Sequence, residues 1–189
     1  MFFISAIGFS QQRVGLVLSG GGAKGIAHIP VLQALDSLEI VPDLIIGTSM
    51  GSVVGGLYAM GYSGDSIANI ANNANCDNLL TGDIPLSKVS TEEKSEFKKY
   101  LIELDLVNWS PKLNTSLLRD QNLREFLTLL TFPVYDIDNF DDFSIPFRAM
   151  TTDIVNGKEV ILDKGSLSLA MRASMSIPSI FQPVAYKNT

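Results

Sequence analysis

The sequence predicts an α/β fold, a central sheet flanked by helices. Three observations carry this reading. Short apolar runs rich in β-branched residues stand at 13–19, 43–47 and 145–153. Stretches with apolar residues at helical spacing follow the first two runs. Glycines crowd both junctions, at Gly20-Gly21-Gly22 and at Gly47 and Gly51. Strands that alternate with helices are the pattern of a sheet covered by helices.

The elements follow in order. Residues 1–10, MFFISAIGFS, are apolar and uncharged, with small residues Gly8 and Ser10 placed for cleavage before Gln11. They are read as the remnant of a secretory signal, which makes the protein an exported one; an apolar lead into the first strand is the plainer alternative. RVGLVLS (13–19) reads as a buried strand. Ala27, Val31, Ala34, Leu35 and Leu38 fall at helical spacing, so 24–38 reads as a helix. Pro42 ends the connection, and DLIIG (43–47) is a second buried strand. Residues 49–61 read as a helix in spite of Gly51, Gly55 and Gly56. Each glycine costs a helix roughly 1 kcal/mol against alanine, so close packing on the sheet is expected there. Residues 62–140 are more polar and read as a helical insertion, with segments near 64–73, 91–105 and 120–130. Turns are expected at Thr81-Gly82-Asp83 and Ser110-Pro111. IPFRAMTTD (145–153) and KEVIL (158–162) read as strands joined at Asn156-Gly157. SLSLAMRAS (166–174) reads as a short helix closed by Ile177-Pro178.

Composition narrows the function. The chain has 189 residues, enough for one domain. Apolar residues make up 46% and charged residues 18%, which excludes global disorder. Acidic residues number 20 and basic residues 14, for a net charge of −6. No basic footprint of the kind nucleic acid demands is visible, so no nucleic-acid partner is expected. A single cysteine, Cys76, excludes a disulfide framework and a cysteine-rich zinc site. A single histidine, His28, starves any mechanism that needs both a catalytic histidine and a histidine-held metal. No stretch after residue 10 reaches the ~18 apolar residues of a membrane-spanning helix. The chain is therefore expected to be soluble or to act at a membrane surface without crossing it.

Two glycine motifs carry the chemistry. Gly47-Thr48-Ser49-Met50-Gly51 fits G-x-S-x-G, with a strand before it and a helix after it. The nucleophile of such an elbow sits on a sharp, strained turn. Side chains at 47 and 51 would collide with neighbouring backbone there, and the serine oxygen projects beside the positive end of the helix. An incidental serine in a glycine-rich connection is the bland alternative. The second motif is Ser19-Gly20-Gly21-Gly22-Ala23-Lys24-Gly25. Gly20, Gly22 and Gly25 also match the dinucleotide-binding pattern. The same bare amides at a helix start would equally receive a developing oxyanion. A dinucleotide fold wants an acidic residue ending the second strand, and here that strand ends in Gly47-Thr48-Ser49, with Asp43 at its start. The oxyanion reading is favoured because it makes both motifs one device, in which the amides of Gly20, Gly21, Gly22 and Met50 face Ser49. The phosphate-loop pattern fails, since Gly25 follows Lys24. Lys24 reads as a solvated or structurally paired cation, and His28 as a hydrogen-bonded structural residue.

Together these residues resemble the patatin-like phospholipase family. Gly20 to Gly25 match its glycine-rich motif and Gly47 to Gly51 its elbow. Thr152-Asp153-Ile154, Gly157, Ala170, Arg172-Ala173-Ser174, Ile177-Pro178, Phe181 and Pro183-Val184 match its later segment. The resemblance runs from Arg13 onward. The middle, with Lys88, Glu92-Glu93-Lys94 and Gln121-Asn122-Leu123, is most similar to bacterial exported members, which often carry an outer-membrane barrel further along the chain.

The resemblance implies a patatin-like α/β hydrolase-type central sheet and a lipid acyl hydrolase working through a Ser–Asp dyad. Ser49 would be the nucleophile, and no cofactor or metal is implied. The expected partners are a phospholipid or other lipid ester, a membrane surface, and a barrel following in the full protein. The expected location is the periplasm, the outer membrane or the outside of the cell. The family's aspartate lies in an Asp-Gly motif, and no Asp-Gly pair occurs in this sequence. Asp153 matches a family position that is not the base and reads as a loop-holding residue; Asp163 is the other carboxylate nearby. The chain is thus expected to be a fragment, truncated on its C-terminal side and with little turnover alone. Two alternatives from other classes are a dinucleotide-binding module built on the same glycine loop and a non-catalytic passenger domain.

Overall fold

The structure is a computed structural model that describes residues 13–74, 105–107, 110–112, 121–177, 181 and 183–186. Strand β1 (Gly15–Leu18) leads into a short 3-10 helix (Gly22–His28) and helix α1 (Ile29–Ser37). Strand β2 (Leu44–Thr48) leads into helix α2 (Met50–Ala59), and helix α3 (Gly64–Asn73) follows. Strands β3 (Asp105–Val107) and β4 (Ser110–Lys112) make a separate antiparallel ribbon. Helix α4 (Gln121–Thr131), strands β5 (Phe147–Asp153) and β6 (Lys158–Leu162), and helix α5 (Leu167–Ser174) complete the order.

The main sheet has four strands in the order β1-β2-β5-β6. The pairs β1–β2 and β2–β5 are parallel, and β5–β6 is antiparallel. Leu18 lies beside Gly47, and Thr48 beside Met150. The parallel strands all end at one edge of the sheet, so the loops after Leu18, Thr48 and Asp153 gather there. That edge is where open parallel sheets bind their ligands.

Helix α2 is the centre of the packing, with Gly51, Ser52 and every residue from Val54 to Ala59 buried. Its glycines have the expected reason. A Cβ at Gly55 would lie 2.9 Å from Ile45 Cγ2 on the sheet, and one at Gly56 would run into the Met171 side chain of α5. Ile45, Phe147 and Ala149 from the sheet and Leu32, Leu57 and Met171 from the helices form the buried core.

Three expectations change. The helix over 24–38 divides into the 3-10 turn and α1, because Pro30 lacks the N–H that a continuous α-helix needs from that position. Proline is well placed where it stands, in the first turn of α1. The segment near 91–105 ends in strand instead of helix at Asp105, and 91–104 lie outside the described residues. Ser110-Pro111 is not a turn: Pro111 pairs with Leu106 in the two-stranded ribbon, where the missing donor can point away from the partner. The segments near 64–73 and 120–130 correspond to α3 and α4. The signal remnant at 1–10, Cys76, the turn at Thr81-Gly82-Asp83 and Pro178 lie outside the described residues.

Candidate active site

Ser49 joins β2 to α2 with φ 52° and ψ −122°, in the left-handed half of conformational space. A non-glycine residue held there stores on the order of 1–3 kcal/mol of strain, which the surroundings must oppose. Four contacts do so. The Ser49 carbonyl accepts Ser52 N–H at 2.9 Å and the buried Ser52 hydroxyl at 2.6 Å. The Ser49 N–H donates to Ser174 Oγ at 2.7 Å, and that hydroxyl donates onward to the Met150 carbonyl of β5 at 2.5 Å. The flanking glycines permit the bend. A Cβ at Gly47 would lie 2.5 Å from Ser52 Cα, and one at Gly51 would lie 2.6 Å from the Ser19 carbonyl oxygen. The side chain of Ser49 is half-buried, and no described residue hydrogen-bonds its Oγ.

The glycine loop after β1 faces this hydroxyl. A Cβ at Gly20 would lie 3.0 Å from Ser49 Cβ and 3.8 Å from Ser49 Oγ. Gly21 at φ 147° and Gly22 at φ 57° take conformations that favour glycine. Lys24 N–H bonds the Gly21 carbonyl at 3.2 Å and opens the 3-10 helix. The amides of Gly21 and Gly22 precede that first bond, so they have no acceptor within the helix. His28 Nε2 meets the Ser19 carbonyl at 2.9 Å, which requires the proton on Nε2 and makes the ring a brace for the loop. Gly25 is buried, and a Cβ there would lie 2.5 Å from Met50 Cβ. Gly20 therefore lies against Ser49, Gly25 against Met50, Gly47 against Gly51 and Ser52, and Gly51 against Leu18 and Ser19, while Gly21 and Gly22 continue the same loop. Lys24 is exposed.

An apolar cleft of about 80 Å³ begins at the next residue along. Ile26, Met50, Val53 and Leu57 form one side, and residues of α3 and α4, among them Ile70 and Phe126, form the other. Every residue lining it is apolar. Met50 to Leu57 spans about two helical turns, or roughly 10 Å at 1.5 Å per residue.

The carboxylates named from the sequence lie elsewhere. Asp153 Oδ1 accepts Val155 N–H at 2.8 Å and Asn156 N–H at 3.3 Å, and Oδ2 accepts Asn156 Nδ2 at 2.6 Å. These bonds, led by that from the Asn156 side chain, hold its pKa below the ordinary 3.8. It is a turn-forming acceptor, as the sequence reading had it. Asp163 is exposed, and its carbonyl accepts Phe140 N–H. Asp43 accepts Val14 N–H at 2.7 Å at the start of the strands, the end away from the glycine loop. The dinucleotide alternative is thereby left without its ribose-binding acid. Among the described residues no three His, Cys, Asp or Glu side chains converge as a metal site.

Ser174 escaped the sequence reading as a member of this cluster. It stood in a matched segment, but nothing local ties residue 174 to residue 49.

The patatin-like phospholipase family model matches residues 16–189. Lysophospholipase NTE1 of the yeast Meyerozyma guilliermondii is 31% identical over 180 residues, 95% of this chain and 11% of that protein. An NTE family protein of Mycobacterium bovis is 32% identical over 177 residues, 93% of this chain and 41% of that protein. The chain thus spans a small part of the yeast relative and less than half of the mycobacterial one. The crystal structure of full-length SpcU in complex with full-length ExoU, from the type III secretion system of Pseudomonas aeruginosa, is similar in fold. Its TM-score is 0.51 at 17% identity, over 88% of this chain and 38% of that one.

Proposed function

The chain belongs to the patatin-like phospholipase family, and on that premise we propose that it is a lipid acyl hydrolase whose nucleophile is Ser49. One observation carries the reading: a strained serine stands against the bare glycine loop at Gly20, and the residue after it, Met50, lines a wholly apolar cleft. The apolar lining favours an aliphatic acyl group over a polar one.

In this reading Ser49 Oγ attacks the ester carbonyl, and the carbonyl oxygen takes up the negative charge. Amides of the Gly20–Gly22 loop, with that of Met50, donate to it. Removing one such donor typically costs about 10²–10³ in rate. A carboxylate accepts the hydroxyl proton and returns it to the leaving alcohol; the family resemblance makes it an aspartate of an Asp-Gly motif. Water then cleaves the acyl-enzyme with the same carboxylate as base. The substrate places the reaction at a lipid surface.

The test is hydrolysis of a lysophospholipid and of a p-nitrophenyl ester, with labelling by a fluorophosphonate probe. The expected result is modification at Ser49 and loss of both hydrolysis and labelling in Ser49→Ala. Undiminished hydrolysis by Ser49→Ala, or labelling at another residue, overturns the reading.

A further inference from the structure

We propose that Ser174 is a positioning residue that holds the Ser49 turn in its reactive shape; the inference rests on Ser49 being the nucleophile. Ser174 ends α5 and lies 125 residues beyond Ser49. Its one hydroxyl accepts from the Ser49 N–H and donates to the Met150 carbonyl, so it ties the bend to strand β5, which pairs with β2 just before it. Only a group that both donates and accepts can do this.

The end of α5 is itself held firmly. Thr151 Oγ1 on β5 donates to the Ala173 carbonyl at 3.1 Å. Buried Arg172 donates to Ser176 Oγ at 2.8 Å, and its guanidinium stacks 4.8 Å from the centre of the Phe181 ring. Gly56 lets Met171 close against α2, which holds α5 against that helix. Without that hydroxyl the Ser49 N–H loses its acceptor and the turn can leave its positive φ. Ser174 does not line the apolar cleft, so its loss acts on the reacting oxygen and not on the acyl site.

The test compares Ser174→Ala and Ser174→Thr in the full chain. In Ser174→Ala, kcat should fall on the order of 10²-fold with KM unchanged, as a displaced nucleophile dictates. Fluorophosphonate labelling should slow in parallel, and Ser174→Thr, which keeps the hydroxyl, should recover most of both. Hydrogen exchange should show the Ser49 amide protected in the native chain and in Ser174→Thr, and unprotected in Ser174→Ala. Wild-type kcat and an undisturbed Ser49 amide in Ser174→Ala overturn the proposal. Where Ser174→Ala does not fold, Ser174→Cys, close in size but a weaker acceptor, carries the same comparison with the same two outcomes. If the native chain neither hydrolyses esters nor labels, the reading of Ser49 fails, and the exchange measurement alone decides whether Ser174 braces the turn.

Discussion

At the scale of single residues, the glycines around Ser49 differ in what they tolerate. A methyl group at Gly51 would press on the backbone of Leu18 and Ser19, which belong to β1 and its exit and cannot move alone. Gly51→Ala should lower stability by about 1–3 kcal/mol or more, read as a fall in the urea unfolding midpoint. Gly22 has nothing within 4 Å of its Cβ position and only its φ of 57° to satisfy. Gly22→Ala should cost about 1–2 kcal/mol, through conformation alone. The Gly47 and Gly51 requirement was legible in the sequence because it arises within a few residues of the serine. The Ser174 contact was not, because a bond that spans 125 residues leaves no local pattern. Asp153 gives a pH-dependent prediction at the same scale. Its folded pKa is lowered, so its contribution is present above the ordinary 3.8 and lost as pH falls through the lower folded value. The carboxyl resonance of Asp153 should titrate below that of an unfolded peptide, and Asn156→Ala should move it back up.

Between elements, one carboxylate ties three helices. Asp36 on α1 accepts the Tyr58 hydroxyl of α2 at 2.6 Å and the Gly64 N–H that opens α3 at 2.7 Å. Burial, then the hydrogen bond and charge of Asp36, pushes the Tyr58 hydroxyl from 10.0 up to about 12. Because the folded value is raised, the contribution is complete below pH 10.0 and disappears as pH rises through about 12. Tyr58→Phe should lose about 1 kcal/mol near neutrality, and its deficit against the native chain should shrink across that alkaline interval. Denaturant unfolding at stepped pH checks both. Apolar spacing gave the presence of α1 and α2, while Pro30 decided where α1 begins. In the ribbon, pairing with Leu106 overrode the turn preference of Ser110-Pro111.

Across the whole molecule, β1 is an edge strand of the described sheet, with Val17 72% exposed on it. An exposed apolar edge invites pairing with another chain. Val17→Lys should reduce self-association in light scattering and leave the unfolding midpoint nearly unchanged. The layered α/β plan was legible because strand and helix periods alternate along the chain, and the β5–β6 hairpin because Asn156-Gly157 marks its turn. The insertion of β2 between β1 and β5 was not legible, since long connections leave strand order open.

The tie between residues 49 and 174 also has a meaning in time. A ribosome releases the elbow long before it releases its brace, and 125 further residues must be added in between. During that interval the nascent chain carries its hydroxyl on an unsupported bend. The bend takes its final shape only when the two distant halves have been made and have met, so the elbow is completed late in synthesis.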